Sequence, residues 1–154
     1  MTPFWTFFGQ DGGCLGIDVN KNHPVFKYFP NDGYGDWQWF YVINYSKAVD
    51  LSDFPKEFIP IITAIDSPKR NKKLSILFEV SVGDARLMVC SSNLFKGTSE
   101  CQWLLKGISE YFEKSKTKLY PVSIEEMEKR FGHGNISEKD FVSNAIYVQD
   151  QLSV

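Results

Sequence analysis

The richest chemistry in the sequence is packed into one short stretch. Tyr34, Trp37, Trp39, Phe40 and Tyr41 lie within eight residues, with Asp32, Asp36 and Gln38 among them. Flat rings stack on the face of a pyranose, and a neighbouring carboxylate or amide bonds its hydroxyls. On that reading Tyr34, Asp36, Trp37 and Trp39 are a carbohydrate-binding set, with the rings stacking and Asp36 accepting hydroxyl bonds. Two other readings stand beside it. Trp37 and Trp39 at period two would share one face of a strand and fill a core. Trp and Tyr are also enriched at protein interfaces.

Catalytic and metal-binding constellations are hard to assemble. The two histidines, His23 and His133, stand in an Asn-His-Pro turn and between glycines, with no metal-ligand spacing. Cys14, Cys90 and Cys101 form no C-x-x-C pair, and Cys90 in its apolar run reads as a buried inert thiol. The glycines at 9, 12, 13 and 16 lack the strand–turn–helix context of a phosphate cradle. No nucleophile elbow or P-loop is present, so neither a metal nor a cofactor is expected. Glycoside hydrolysis needs only two facing carboxyls, and Asp32, Asp36, Asp66 and Glu79 are the available acids. Turn chemistry accounts for the aspartates. Alternation with Phe78 and Val80 puts Glu79 on the solvent face of a hairpin. The expectation is therefore no catalytic residue, with a stand-alone glycoside hydrolase as the alternative.

Composition narrows the partners. The chain has 154 residues, the length of one domain, and a net charge of −2. That charge argues against a dedicated nucleic-acid binder. No apolar run is long enough for a membrane span, and the first residues do not read as a signal peptide. Charge is uneven: residues 1–67 carry −4, 68–118 carry +5 and 119–154 carry −3. The basic clusters in the middle lack interleaved aromatics or glycines and read as solvated surface.

The elements that must position these residues follow from periodicity. Residues 15–19 read as a short strand, and Pro24 begins a turn or short helix. The aromatic and β-branched run 37–43 reads as a strand, with a short helix as the alternative. Residues 47–51 are a weak strand and 59–66 a stronger one. Residues 74–82 and 85–92, joined by Gly83-Asp84, form an antiparallel hairpin. Ser99 caps a helix to Lys114 with an apolar stripe of Leu104, Leu105, Ile108, Tyr111 and Phe112. Ser123-Ile124-Glu125-Glu126 matches a capping box and opens a helix through Phe131, and a last helix is expected over 137–151. These elements divide into a core domain, 1–118, and a helical tail, 119–154. They predict a mixed, largely antiparallel sheet with helices packed on it, α/β or α+β, with a jelly-roll β-sandwich as the alternative.

Residues 22–34, from Asn22-His23-Pro24 to Asn31-Asp32-Gly33-Tyr34, followed by Asp36-Trp37-Gln38-Trp39, resemble a segment near the C-terminus of bacterial family 2 glycoside hydrolases, β-galactosidase-like proteins. Pro60-Ile61-Ile62, Ile65-Asp66, Arg70-Asn71-Lys72-Lys73-Leu74, Phe78-Glu79, Val82-Gly83 and Leu87 to Ser91 follow in the expected order, and Leu119-Tyr120-Pro121 to Phe131 continues the likeness. It covers roughly residues 4–131. The resemblance implies a region outside the catalytic barrel, similar to the second half of a flavodoxin-like domain of the glutamine amidotransferase or trehalose-utilisation type. It transfers no catalytic residue, because the family's glutamates lie in the barrel and the amidotransferase nucleophile has no counterpart here. It implies an accessory domain, structural or carbohydrate-binding, and a periplasmic or extracellular setting. The partners implied are an oligosaccharide or polysaccharide and the parent enzyme's other domains. A sheet lacking the first half of that fold must close on itself or bury its edge in a homodimer.

Overall fold

A single ten-residue strand, β5 (Lys73–Val82), organises the sheet. In the computed structural model, which describes residues 2–3, 15–43, 46–92, 94–115 and 118–131, every other strand but two pairs with it directly. Its first half runs antiparallel to β3 (Lys47–Asp50) and β4 (Ile62–Ile65). Its second half runs antiparallel to β6 (Ala85–Cys90) and parallel to β7 (Pro121–Val122). The strand β2 (Gly16–Val19) adds outside β4, and the two-residue β1 (Thr2–Pro3) adds outside β3. Among the described residues the result is a mixed, mostly antiparallel sheet with three helices packed on it, an α+β fold. The described strands form one sheet and not the two of a jelly roll.

The pairing explains the burial pattern. Thr63 stands opposite Ser75 and Ile62 opposite Leu77, so Ile76 is an extra residue, a β-bulge. Ser75 is fully buried there, its hydroxyl between the carbonyl oxygens of Ile62 (3.0 Å) and Leu77 (3.1 Å). An extra residue reverses which side chains face which way. Before the bulge Leu74 and Ile76 belong to the first core cluster; after it Leu77 does, while Phe78 and Val80 turn to the second.

The two clusters lie on opposite faces. The first takes in α1 (Trp37–Ile43) and α2 (Ser99–Lys114), with Trp39, Ile43 and Leu104 at its centre. The second covers the other face with Leu51, Phe54 and Phe58 and with Val122 and Met127, the last from α3 (Ile124–Phe131). Chain beyond residue 118 thus contributes both a strand and core side chains.

Three details differ from the sequence reading. The segment 37–43 is a helix, not a strand. Its inward residues, Trp39, Val42 and Ile43, have the i, i+3, i+4 spacing of one helical face. The cap of α2 is Thr98, whose hydroxyl accepts from the Cys101 N–H, rather than Ser99. Ser123 does cap α3, accepting from the Glu126 N–H at 3.1 Å. The helix expected over 137–151, Cys14, His133 and the glycines at 9, 12 and 13 lie outside the described residues.

A close approach ties the first residues to α2. A Cβ on Gly107 would stand 1.9 Å from the Val25 carbonyl oxygen. Only glycine lets the 3-10 turn Pro24–Phe26 lie this near the helix.

Candidate functional site

The aromatic stretch is sorted by α1 into two faces. Trp39 is 0% exposed and packs edge-on against Phe29 (4.7 Å between centroids) and Phe26 (5.9 Å). It is a core residue, which corrects its assignment to a sugar platform, since a ring with no exposed face cannot stack on a ligand. Its indole Nε1 has no hydrogen-bond partner among the described residues. Trp37 is 82% exposed. Phe40 stands perpendicular to it at 5.8 Å, and Tyr41 perpendicular to Phe40 at 5.5 Å. Residues 37, 40 and 41 have the spacing of one helical face, so α1 carries an outward aromatic strip.

The remaining two predicted residues lead into that strip. Tyr34, 59% exposed, bridges Asp18 beside β2. The turn before it is set by Asn31, whose Oδ1 accepts the Gly33 N–H at 3.1 Å, with Gly33 at φ +92°. Asp36 begins α1: its Oδ1 accepts the Gln38 N–H at 3.2 Å. The Gln38 amide donates to the Pro30 carbonyl. One carboxylate oxygen of Asp36 is thus engaged in capping, and the other has only a 3.5 Å contact with the Gln38 amide.

The acids considered for catalysis occupy separate settings. Asp32 is exposed. Asp66 is buried at the turn between β4 and β5, where it accepts from the Ser67 N–H (2.8 Å), the Lys72 N–H (3.1 Å) and the Arg70 guanidinium. The Arg70 bond, against the opposing effect of burial, holds its carboxyl below the ordinary value. It locks a turn in which Asn71 takes φ +48°.

Glu79 is not on a solvent face. The helix α2 covers that side of the hairpin, and Glu79 sits beneath it. Its Oε1 accepts from the Tyr111 hydroxyl (2.7 Å) and faces His23 Nε2 (3.3 Å); its Oε2 accepts from Arg86 (2.9 Å). The Val25 N–H points to His23 Nδ1 at 3.4 Å, which assigns the proton of the neutral ring to Nε2. His23 also meets the Tyr111 ring edge-on at 4.7 Å. Arg86 continues to the Ser115 carbonyl (2.5 Å) at the end of α2, and its guanidinium lies 5.0 Å from the Tyr111 ring centroid. Burial pushes the Glu79 pKa up, but the bonds from His23, Tyr111 and Arg86 outweigh it and hold the group below its ordinary value. This half-buried polar cluster was not anticipated from the sequence. The only local signal was that Ser81 pairs with Arg86, which puts Glu79 and Arg86 diagonally on one face.

The cluster is closed: each carboxylate oxygen already has a partner. A general acid needs a raised pKa and a reachable proton, and Glu79 has neither. The Cys90 thiol, raised to about 11 chiefly by desolvation, is not poised as a nucleophile. Among the described residues no group of three or more His, Cys, Asp or Glu could hold a metal ion, and no helix is long and apolar enough to cross a membrane.

Residues 1–131 match the family model of a domain of unknown function, DUF8487. The chain belongs to the DUF8487 family. The match spans every strand and helix of the DUF8487 fold described above. No curated protein matches the sequence.

Proposed function

We propose that this DUF8487 domain is a non-catalytic accessory domain, related to the region outside the barrel of family 2 glycoside hydrolases, that binds carbohydrate through the outer face of α1. The observation that carries the reading is Trp37. A tryptophan buries about 150–250 Å² when covered, worth roughly 4–6 kcal/mol at about 25 cal/mol per Å². Leaving it 82% exposed next to two more partly exposed rings forgoes that stabilisation. A ligand-stacking role supplies a reason. The engagement of Asp66 and Glu79 in structural bonds supports a binding role over a hydrolytic one.

The test is a tryptophan-fluorescence titration against galactan, xyloglucan and related oligosaccharides, with two variants. Trp37→Ala is expected to keep the fold within about 0.5 kcal/mol, as exposed substitutions do, and to abolish saturable binding. Trp39→Ala is expected to destabilise by about 3–5 kcal/mol through the cavity it leaves. Unchanged glycan affinity in a folded Trp37→Ala protein would overturn the proposal.

Docking onto a neighbouring domain or a second copy is the alternative favoured by the opposite face. Ile59 and Ile124 are exposed beside the cluster of Phe54, Phe58 and Tyr120. Sedimentation that gives a monomer at all concentrations would exclude the homodimer form of that reading.

A further inference from the structure

The strip on α1 has a geometry that selects among carbohydrates. We infer, resting on the carbohydrate reading above, that it holds one uncharged pyranose at a chain end or branch tip, and not an extended or crystalline polymer surface.

Three observations carry this. The first is ring orientation. A flat polysaccharide surface is matched by rings that lie in one plane. Here Trp37 and Phe40 are at 89° and Phe40 and Tyr41 at 83°. When one ring lies flat against a sugar, its neighbour stands as a wall beside it. A wall bounds a single residue and blocks a chain from running on across the strip.

The second is length. From Trp37 to Tyr41 the helix rises only about 6 Å at about 1.5 Å per residue. Ring centroids 5.8 and 5.5 Å apart put neighbouring rings in edge-to-face contact, so no sugar enters between them and one ring face at a time is offered to a ligand.

The third is charge. Residues 28–46 include Asp32 and Asp36 and no Lys or Arg. Asp18, exposed, pairs with Tyr34, three residues before Trp37. Lys96 reaches the backbone at the far end, 3.4 Å from the Tyr41 carbonyl oxygen, and Lys21 lies along Gly33. Three carboxylates against two lysines accept hydroxyl donors and oppose uronate or sulfate groups.

The experiment is calorimetric titration of the full chain with neutral gluco-, galacto- and xylo-oligosaccharides of two to six residues. Pull-down on insoluble cellulose and titration with a polyuronate accompany it. The expected result is a dissociation constant that changes less than about twofold with length for the sugar that binds. Retention on cellulose and response to polyuronate are expected to be absent, and Trp37→Ala and Phe40→Ala are each expected to lose at least about tenfold. Affinity that climbs about tenfold with each added pair of sugars, or retention on cellulose, would overturn the single-residue geometry while leaving carbohydrate binding intact. Preference for the polyuronate would overturn the charge argument. No response to any glycan would overturn the carbohydrate reading itself and this inference with it.

Discussion

At the residue scale, Glu79 and Asp66 act alike although they stand in different places. Each carboxylate, Asp66 buried and Glu79 half-buried, is held ionised by an arginine and neutral donors, and each has a depressed pKa. Removing one partner of such a pair costs about 3–5 kcal/mol, because the other charge is left buried. Glu79→Gln should therefore destabilise strongly through Arg86, whose Nε already lacks a partner among the described residues. The pH dependence has a definite sign. A carboxylate with a lowered folded pKa contributes stability above its unfolded value, here 4.5 for Glu79 and 3.8 for Asp66. That contribution is lost as pH falls through the folded values. Urea midpoints measured from pH 7 to pH 3 should fall steeply below about pH 4.5, and less steeply in Glu79→Gln and Asp66→Asn. Equal slopes in wild type and variants would remove these two groups from the account. Why sequence reasoning left Glu79 on the surface is also a matter of residues. Its partners are 56 and 32 positions away, at His23 and Tyr111, and local alternation carries no trace of a helix lying on top.

At the element scale, the hairpin, the β2 and β4 strands and the helix α2 were legible because polar and apolar residues alternate or recur with a clear period. The helix α1 was not. Of its seven residues only Gln38 is polar, so neither face is marked, and its aromatic and β-branched content imitates a strand. Tertiary packing decides it, by seating Trp39 between Phe26 and Phe29. The contact of α2 with the Pro24–Phe26 turn gives the prediction for this scale. Gly→Ala inside a helix usually stabilises by up to about 1 kcal/mol. At Gly107 the new methyl would meet the Val25 carbonyl oxygen, so the sign reverses. Overpacking of this kind costs about 1–3 kcal/mol. Because the turn carries His23, Gly107→Ala should also weaken the Glu79 cluster. A melting temperature that rises in this variant would contradict the packing described.

At the scale of the whole molecule, the sheet is a wall between two cores. The α1 and α2 side was anticipated from the apolar stripe of α2. The other side is assembled from a loop, residues 51–58, and from chain beyond residue 118, neither of which has a strong period of its own. Val122 and Met127 close that second core. A protein cut after residue 118 would expose Phe78 and Val80, and losing two such side chains removes about 3–6 kcal/mol of burial. The cut form should melt well below the full chain in calorimetry. A form as stable as the parent would mean that 1–118 is complete by itself.

The bulge at Ile76 makes β5 a message read in two frames. Substitutions along the strand change one word at a time, but a change of length changes the frame. Deleting Ile76 itself would restore strict alternation with both halves in place, but deleting Phe78 would shift the frame and leave only one half in place. Either Glu79 would be turned toward Phe54 and Phe58 while Val80 faced Tyr111, or Leu74 would leave its own core. Such a deletion should abolish cooperative unfolding in circular dichroism, whereas Ile76→Val, which keeps the frame, should cost only about 0.5–1.5 kcal/mol. Within this family, then, β5 outside the bulge should hold its length even where its residues vary.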